Sequence, residues 1–160
     1  MNVNAFVSGY PKISNKLVSE AILKYSNDTL RTTALWDTGA TRTCIAKEAA
    51  SALKLVPLGK QNMFTPSGPS VANTYLIDIQ LPNNVTVPDI VVCDSEIGAQ
   101  QIGVLIGMDI VNLGDFAVSN FNGKTVFSFR TPSQKQTDYV AEANFQKTIG
   151  PKHGKGKRKK

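Results

Sequence analysis

The chain has 160 residues and a hydrophobic content of 41%, which suits one folded domain with a buried core. No apolar run approaches the roughly 20 residues that a membrane-spanning helix requires. The net charge of +6 is concentrated at one end, because six of the 18 Lys and Arg residues lie in residues 151–160. Residues 1–150 therefore carry 12 basic and 12 acidic side chains, and this balance argues against a domain-wide nucleic-acid surface.

Short extended segments dominate the first half of the chain. Apolar patterning predicts three strands before the middle of the chain, at residues 5–7, 18–25 and 30–36. The alanine-rich residues 46–55 predict a short helix, which Pro57 ends. Two extended arms then flank a tip rich in glycine and proline, which predicts a hairpin built from residues 61–65, 66–69 and 71–81.

The second half continues this pattern until residue 130. Strand pieces are predicted at residues 85–88, 90–93 and 104–106, with Pro88 indicating an edge or a bulge. One or two helical turns follow at residues 109–113, and a hairpin spans residues 116–129 around a two-residue Asn122-Gly123 turn. A weak helix is predicted at residues 138–147. The count of eight or so short strands and one or two short helices predicts an all-β domain, a closed or partly closed β-barrel.

Two apolar strands end in glycine-containing turns that could carry chemistry. The strand at residues 30–36 runs directly into Asp37-Thr38-Gly39-Ala40, and a later apolar strand closes on Leu105-Ile106-Gly107. Glycine permits the tight turn from which the Asp37 carboxylate can project. Asp-Thr-Gly and Leu-Ile-Gly, in this order and in a chain this short, resemble the retropepsin-like (retroviral-type) aspartic proteases over roughly residues 17–130.

This resemblance implies a function and a role for each matching residue. Asp37 would be the catalytic carboxylate of an endopeptidase that cuts peptides or proteins. Thr38, Gly39 and Ala40 would form the active-site turn, with the Thr38 hydroxyl reaching across a homodimer. Leu105, Ile106 and Gly107 would form the strand that supports this turn. The hairpin would be the flap, with its tip at Pro66, Ser67 and Gly68, and no cofactor or metal would be needed.

A single carboxylate is a poor catalyst of peptide hydrolysis, whereas two that share a proton divide the acid and base roles. The chain contains one Asp-Thr-Gly, and Asp94-Ser95-Glu96 lacks the glycine turn. The second Asp37 is therefore expected from another copy across a two-fold axis. The lone histidine, His153, lies in the basic tail, which argues against Ser-His-Asp and Cys-His catalysis. No Cys/His cluster has metal-ligand spacing.

An alternative remains open at this point: a catalytically silent, dimeric peptide-binding or assembly domain. Its basic tail would then contact nucleic acid or an acidic partner. We expect three regions, a protease domain at residues 1–130, a polar extension at residues 131–149 and a disordered tail at residues 150–160. The N-terminus lacks a secretory pattern, and two cysteines make no disulfide framework, so a cytoplasmic location without membrane association is expected.

Overall fold

A computed structural model describes residues 2–65 and 68–149 of the chain. In these residues the strands are β1 Asn4–Gly9, β2 Leu17–Tyr25, β3 Asp28–Trp36, β4 Cys44–Ala46, β5 Gly59–Thr65, β6 Gly68–Gln80, β7 Thr86–Ser95, β8 Val104–Ile106, β9 Asp115–Ser119 and β10 Val126–Thr131. The α-helices are α1 Lys47–Ala52, α2 Met108–Val111 and α3 Tyr139–Ile149. No helix in this part of the chain is long and apolar enough to cross a membrane.

Six strands close into a barrel. Their order is β2-β3-β8-β4-β7-β6, and β6 pairs back onto β2 through Ile22↔Gln80 and Leu23↔Ile79. Strand β5 pairs with β6 alone, so the β5–β6 hairpin extends from the barrel as an arm. The prediction of an all-β domain, a closed or partly closed barrel with one or two short helices, is confirmed in its fold class, and the barrel is closed.

The core follows the alternation seen in the sequence. Tyr75, Ile77 and Ile79 of β6 are buried, whereas the intervening Leu76 faces outward and is 39% exposed. The pairing of β6 with β7 shifts register between Ile77 and Ile79. The two strand pieces predicted on either side of Pro88 are in fact one strand, β7, and the bulge that Pro88 indicated lies within it, where Asp89 adopts a φ of 52°.

A second sheet, ordered β1-β10-β9, places aromatic side chains against the end of β3. Phe6, Phe127 and Phe129 surround Trp36 at ring-centroid distances of 5.7, 5.8 and 5.2 Å. The Trp36 indole N–H donates to Ser19 Oγ over 3.1 Å, so its one polar atom is satisfied although the side chain is buried. Because Trp36 precedes Asp37, this packing holds the end of β3 in place.

The predicted two-residue turn between β9 and β10 was wrong in detail. The hairpin of β9 and β10 pairs Ser119 with Val126, so residues 120–125 connect the strands instead of a two-residue turn. Asn122 and Gly123 do adopt positive φ values of 53° and 70°. The loop is longer because Thr125 is fully buried, where its hydroxyl donates to Asn120 Oδ1 over 2.6 Å and accepts from the Ser14 amide over 2.9 Å.

Helix α1 is shorter than the helix predicted at residues 46–55. It ends at Ala52, and Lys54 adopts a φ of 51°, a left-handed conformation that ends the helix before Pro57. The Leu55 amide donates to the Ala50 carbonyl over 3.0 Å, which turns the chain back onto the helix. The C-terminal helix α3 extends two residues beyond the predicted end, and its side chains are exposed.

The chain after β10 is tied to the sheet by Asp115. Its carboxylate accepts from the Gln134 amide over 2.8 Å, from the Ser133 hydroxyl and from Arg130 Nε over 2.6 Å. These three donors, with the Gln134 amide the largest contributor, hold the pKa of Asp115 well below its usual range. The proposed division at residue 130 stays a prediction, and the expected basic tail at residues 150–160, with any partner it binds, lies outside the described residues.

Candidate active site

The parallel pairing of β3 with β8 brings the two glycine-containing turns together. Trp36 lies opposite Ile106, and the Asp37 amide donates to the Ile106 carbonyl over 3.0 Å. Asp37 and Gly107 are therefore the first residues beyond two neighbouring strand ends. Val104 and Ile106 are fully buried and Leu105 is half-buried, as a strand inside the barrel requires. The structure thus places the predicted turn beside the predicted supporting strand.

The turn itself presents one carboxylate at the surface of the monomer. Asp37 is half-buried, while Thr38 and Gly39 are exposed. The Gly39 amide donates to Asp37 Oδ1 over 2.9 Å, and the Ala40 amide donates to the Asp37 carbonyl over 3.2 Å. A Cβ on Gly39 would lie 3.1 Å from Asp37 Oδ1, so a side chain here would crowd the carboxylate. The turn therefore orients Asp37 through its own backbone.

A buried hydrogen-bond network lies beneath the turn. Thr43 Oγ1 donates to Asp109 Oδ1 over 2.7 Å and accepts from the Gly107 amide over 3.1 Å. The Thr43 amide donates to Asp109 Oδ2 over 2.9 Å, and the Ile110 amide also bonds to this carboxylate over 2.9 Å. The hydrogen bonds of Asp109 are therefore structural, because they join the start of β4 to the start of α2. Sequence reasoning missed Thr43, because its partners lie more than 60 positions away in the chain.

Gly107 allows the two sides of the turn to approach closely. A Cβ at this position would lie 2.5 Å from the carbonyl carbon of Arg42, a separation that real contacts do not reach. The next residue completes the link, since the Met108 amide donates to the Ala40 carbonyl over 2.8 Å. The supporting strand thus touches the active-site turn at backbone level.

A cleft of about 430 Å³ opens between the turn and the hairpin arm. Its described lining residues are Gly39, Ala40, Thr41, Arg42, Cys44, Gln61, Asn62, Met63, Phe64 and Cys93. Strand β5 therefore lies across the cleft from the turn. Of the predicted flap tip, Gly68 has a φ of 112°, a conformation that favours glycine, whereas Pro66 and Ser67 lie outside the described residues.

Comparison with known proteins agrees with this geometry. A family model described as aspartyl protease matches residues 21–110, which include Asp37, the hairpin arm and Gly107. The chain belongs to the aspartyl protease family. No curated protein sequence matches it.

Solved structures show that this aspartyl protease family member has the retropepsin-like fold. A retropepsin-like aspartic protease from Rickettsia conorii is 14% identical, with a TM-score of 0.54, and the match covers 82% of this chain and 97% of that one. The EIAV protease complexed with the inhibitor HBY-793 is 16% identical, with a TM-score of 0.50 and coverages of 64% and 89%. The predicted resemblance to the retropepsin-like family is confirmed.

Asp94, the other carboxylate considered as a partner for Asp37, has a structural role in this family member. It is 7% exposed and accepts hydrogen bonds from the Asn73 amide over 2.9 Å, from Asn73 Nδ2 over 3.0 Å and from the Tyr75 hydroxyl over 3.0 Å. These bonds join the base of the hairpin arm to β7. Burial first, and then the bond to Asp94, raise the pKa of Tyr75 above its usual value.

The two cysteines are buried thiols in neighbouring strands. Cys44 of β4 lies opposite Cys93 of β7, and neither forms a disulfide. Burial, with a smaller contribution from Cys93, raises the pKa of Cys44 to about 12, which makes this thiol a poor nucleophile at neutral pH. In the described part of the chain, no group of three His, Cys, Asp or Glu side chains could hold a metal ion.

Proposed function

We propose that this protein is a homodimeric aspartic endopeptidase in which each subunit contributes Asp37 to a catalytic dyad. The observation that carries the proposal is the position of Asp37. It leaves the end of β3 half-exposed, with its carboxylate oriented by the Gly39 amide and its backbone bonded to Ile106. The aspartyl protease family and the retropepsin-like fold support a hydrolase over a silent peptide-binding domain.

The need for a second subunit follows from the partners of the neighbouring carboxylates. Asp109 is bonded to Thr43, and Asp94 is bonded to Asn73 and Tyr75. The hydrogen bonds of both carboxylates therefore stabilise the fold. A second Asp37 from an isologous partner would supply the missing carboxylate, because a two-fold axis brings identical surface patches together.

The dyad would divide the chemistry between its two members. Two carboxylates held close together cannot both ionise readily, so one stays protonated while the other is charged. The charged Asp37 would take a proton from water, which attacks the scissile carbonyl carbon. The protonated Asp37 would donate to the carbonyl oxygen, which gives a tetrahedral diol. As the C–N bond breaks, the Asp37 that took the proton from water would pass it to the leaving amine, and the other Asp37 would regain a proton from a diol hydroxyl, which leaves a free acid and a free amine.

The remaining predicted site residues would position the catalytic turn and the substrate without taking part in the chemical step. Thr38 is exposed at the edge of the turn, where its hydroxyl could bond to the partner's backbone. The hairpin arm, with its tip at Pro66, Ser67 and Gly68, would act as the flap. The supporting strand, Leu105, Ile106 and Gly107, would keep the turn in a fixed position relative to the barrel core. A peptide would bind in extended form and pair with backbone along the cleft.

The test is cleavage of a mixed peptide library at mildly acidic pH by the wild-type chain and by Asp37→Asn. The substitution keeps the size of the side chain but removes the ionisable group. We expect cleavage by the wild type and its loss in the variant, with an unchanged melting temperature. Equal cleavage by the two proteins would refute the assignment. If neither protein cleaves any peptide, the result would favour the peptide-binding alternative.

A further inference from the structure

The cleft beside the active-site turn is lined by Arg42. Of the described residues that line it, Arg42 alone carries a formal charge at neutral pH. The inner wall is apolar and rich in sulfur, since Cys44 and Cys93 pack together with Met63. A site of this composition offers an apolar, sulfur-containing wall next to polar side chains and one cation.

The backbone of Arg42 is in close contact with neighbouring segments, although the residue is exposed. Its carbonyl carbon lies against Gly107, at the position where a Cβ would approach to 2.5 Å, and the following Thr43 amide is bonded to Asp109 over 2.9 Å. The fixed backbone therefore keeps the origin of the Arg42 side chain at the rim of the cleft, although binding would still have to order the guanidinium.

The guanidinium of Arg42 has no carboxylate partner in residues 2–65 and 68–149. Three other basic side chains there do form ion pairs, namely Arg31 with Glu20, Lys47 with Glu96 and Arg130 with Asp115. The charge of Arg42 also affects the thiol of Cys93 in the cleft wall. Burial raises the pKa of Cys93, and the positive charge of Arg42 is the next largest influence and opposes that rise.

We propose that Arg42 selects peptide substrates that place an Asp or Glu side chain in this cleft, close to the scissile bond. The inference rests on the proposed function and specifies the substrate class. A carboxylate can form paired hydrogen bonds with the planar guanidinium, while the methylene groups of Glu lie against Met63 and the thiols. Because Gly39 lines the cleft and also bonds to Asp37 Oδ1, the selected side chain would lie near the reacting bond.

The test measures binding separately from catalysis, in the full-length Asp37→Asn chain. Fluorescein-labelled peptide pools would carry Glu, Gln or Lys at one fixed position, with the fixed position moved along the peptide. Fluorescence anisotropy at low salt should show about two- to fivefold tighter binding of the Glu pool than of the Gln pool at one position. About 1 M salt should reduce this ratio towards one, since the interacting charges are solvent-accessible.

Reversal of the charge makes the test specific. Adding Arg42→Glu should invert the preference, so that the Lys pool binds more tightly than the Glu pool. Arg31→Glu is the matched control, because Arg31 is also exposed and lies outside the cleft lining. This control should retain the preference for Glu.

The outcomes separate this inference from the proposed function. Equal binding of the Glu and Gln pools, or binding of neither, overturns the role of Arg42. The same is true of an unchanged preference in Arg42→Glu. If the wild-type chain cleaves peptides without an acidic preference, the protease assignment stands and this inference fails. Selective binding of Glu pools without cleavage by the wild type would support the inference and refute the proposed activity.

Discussion

The hydrogen bonds of Thr43 predict that Thr43→Val will strongly destabilise the protein. The two side chains have nearly the same shape, so packing in this fully buried position is retained. The substitution removes the bond to the Asp109 carboxylate and leaves the buried Gly107 amide without its acceptor. A bond to a charged group contributes about 1.5–3 kcal/mol, and an unsatisfied buried amide costs about 1–3 kcal/mol.

These two losses share one hydroxyl and are not strictly additive, so we expect a decrease of about 2–4 kcal/mol in the free energy of unfolding. For a chain of this size, the melting temperature should fall by about 4–16 °C. The assay is thermal and urea unfolding at one fixed protein concentration, since assembly would also affect stability. Thr29→Val is the matched control, because Thr29 is exposed on β3. Equal melting temperatures for Thr43→Val and wild type would refute the reasoning.

Three further predictions concern other polar groups. Asp94→Ala should accelerate amide hydrogen exchange along the hairpin arm, because the carboxylate joins the base of the arm to β7. It should also lower the pKa of Tyr75, measured by ultraviolet titration, because the bond to Asp94 helps to raise that pKa. Asp115 has a lowered pKa, so its stabilisation is complete above the ordinary value of 3.8 and is lost as the pH falls below it. The difference in melting temperature between wild type and Asp115→Asn should thus be constant from pH 7 to about pH 5 and shrink below about pH 4. Cys44 should resist alkylation at pH 8 until denaturant is added, because its pKa is raised to about 12, and mass spectrometry would detect the adduct.

Each of these predictions has a result that contradicts it. Unaltered exchange at the hairpin in Asp94→Ala would show that the arm is held by its strand pairing alone. A stability difference for Asp115→Asn that persists to the lowest pH would show that the carboxylate acts without its charge. Rapid alkylation of native Cys44 would show that the cleft wall opens readily.

The local structure of the candidate active site could be predicted from the sequence. Asp37-Thr38-Gly39 and Leu105-Ile106-Gly107 each combine an apolar strand with a glycine turn, and both signals lie within a few consecutive residues. The resemblance implied that the second segment supports the first, and in the structure the parallel pairing of β3 with β8 places Trp36 opposite Ile106. Local patterning sufficed here because strand, turn and glycine requirement coincide.

Features that depend on distant contacts were not predictable in this way. The length of the β9–β10 connection depends on a bond between Thr125 and Ser14, which are 111 positions apart. Thr43 resembles any threonine before a short strand until Asp109 folds against it. The continuity of β7 through Pro88 likewise depends on β6, where Asp78 Oδ1 accepts from the Asp89 amide over 2.8 Å. The length of the β9–β10 connection, the role of Thr43 and the continuity of β7 thus depend on partners elsewhere in the chain and not on local propensity.

The measurement that tests the central claim most directly is activity after subunit mixing. Wild-type and Asp37→Asn chains would be unfolded together, refolded at fixed total concentration and assayed at several ratios. If the dyad needs one Asp37 from each subunit, activity will follow the square of the wild-type fraction, so an equal mixture will retain about a quarter of full activity. Activity that follows the wild-type fraction linearly, with about half remaining in the equal mixture, would contradict a shared active site.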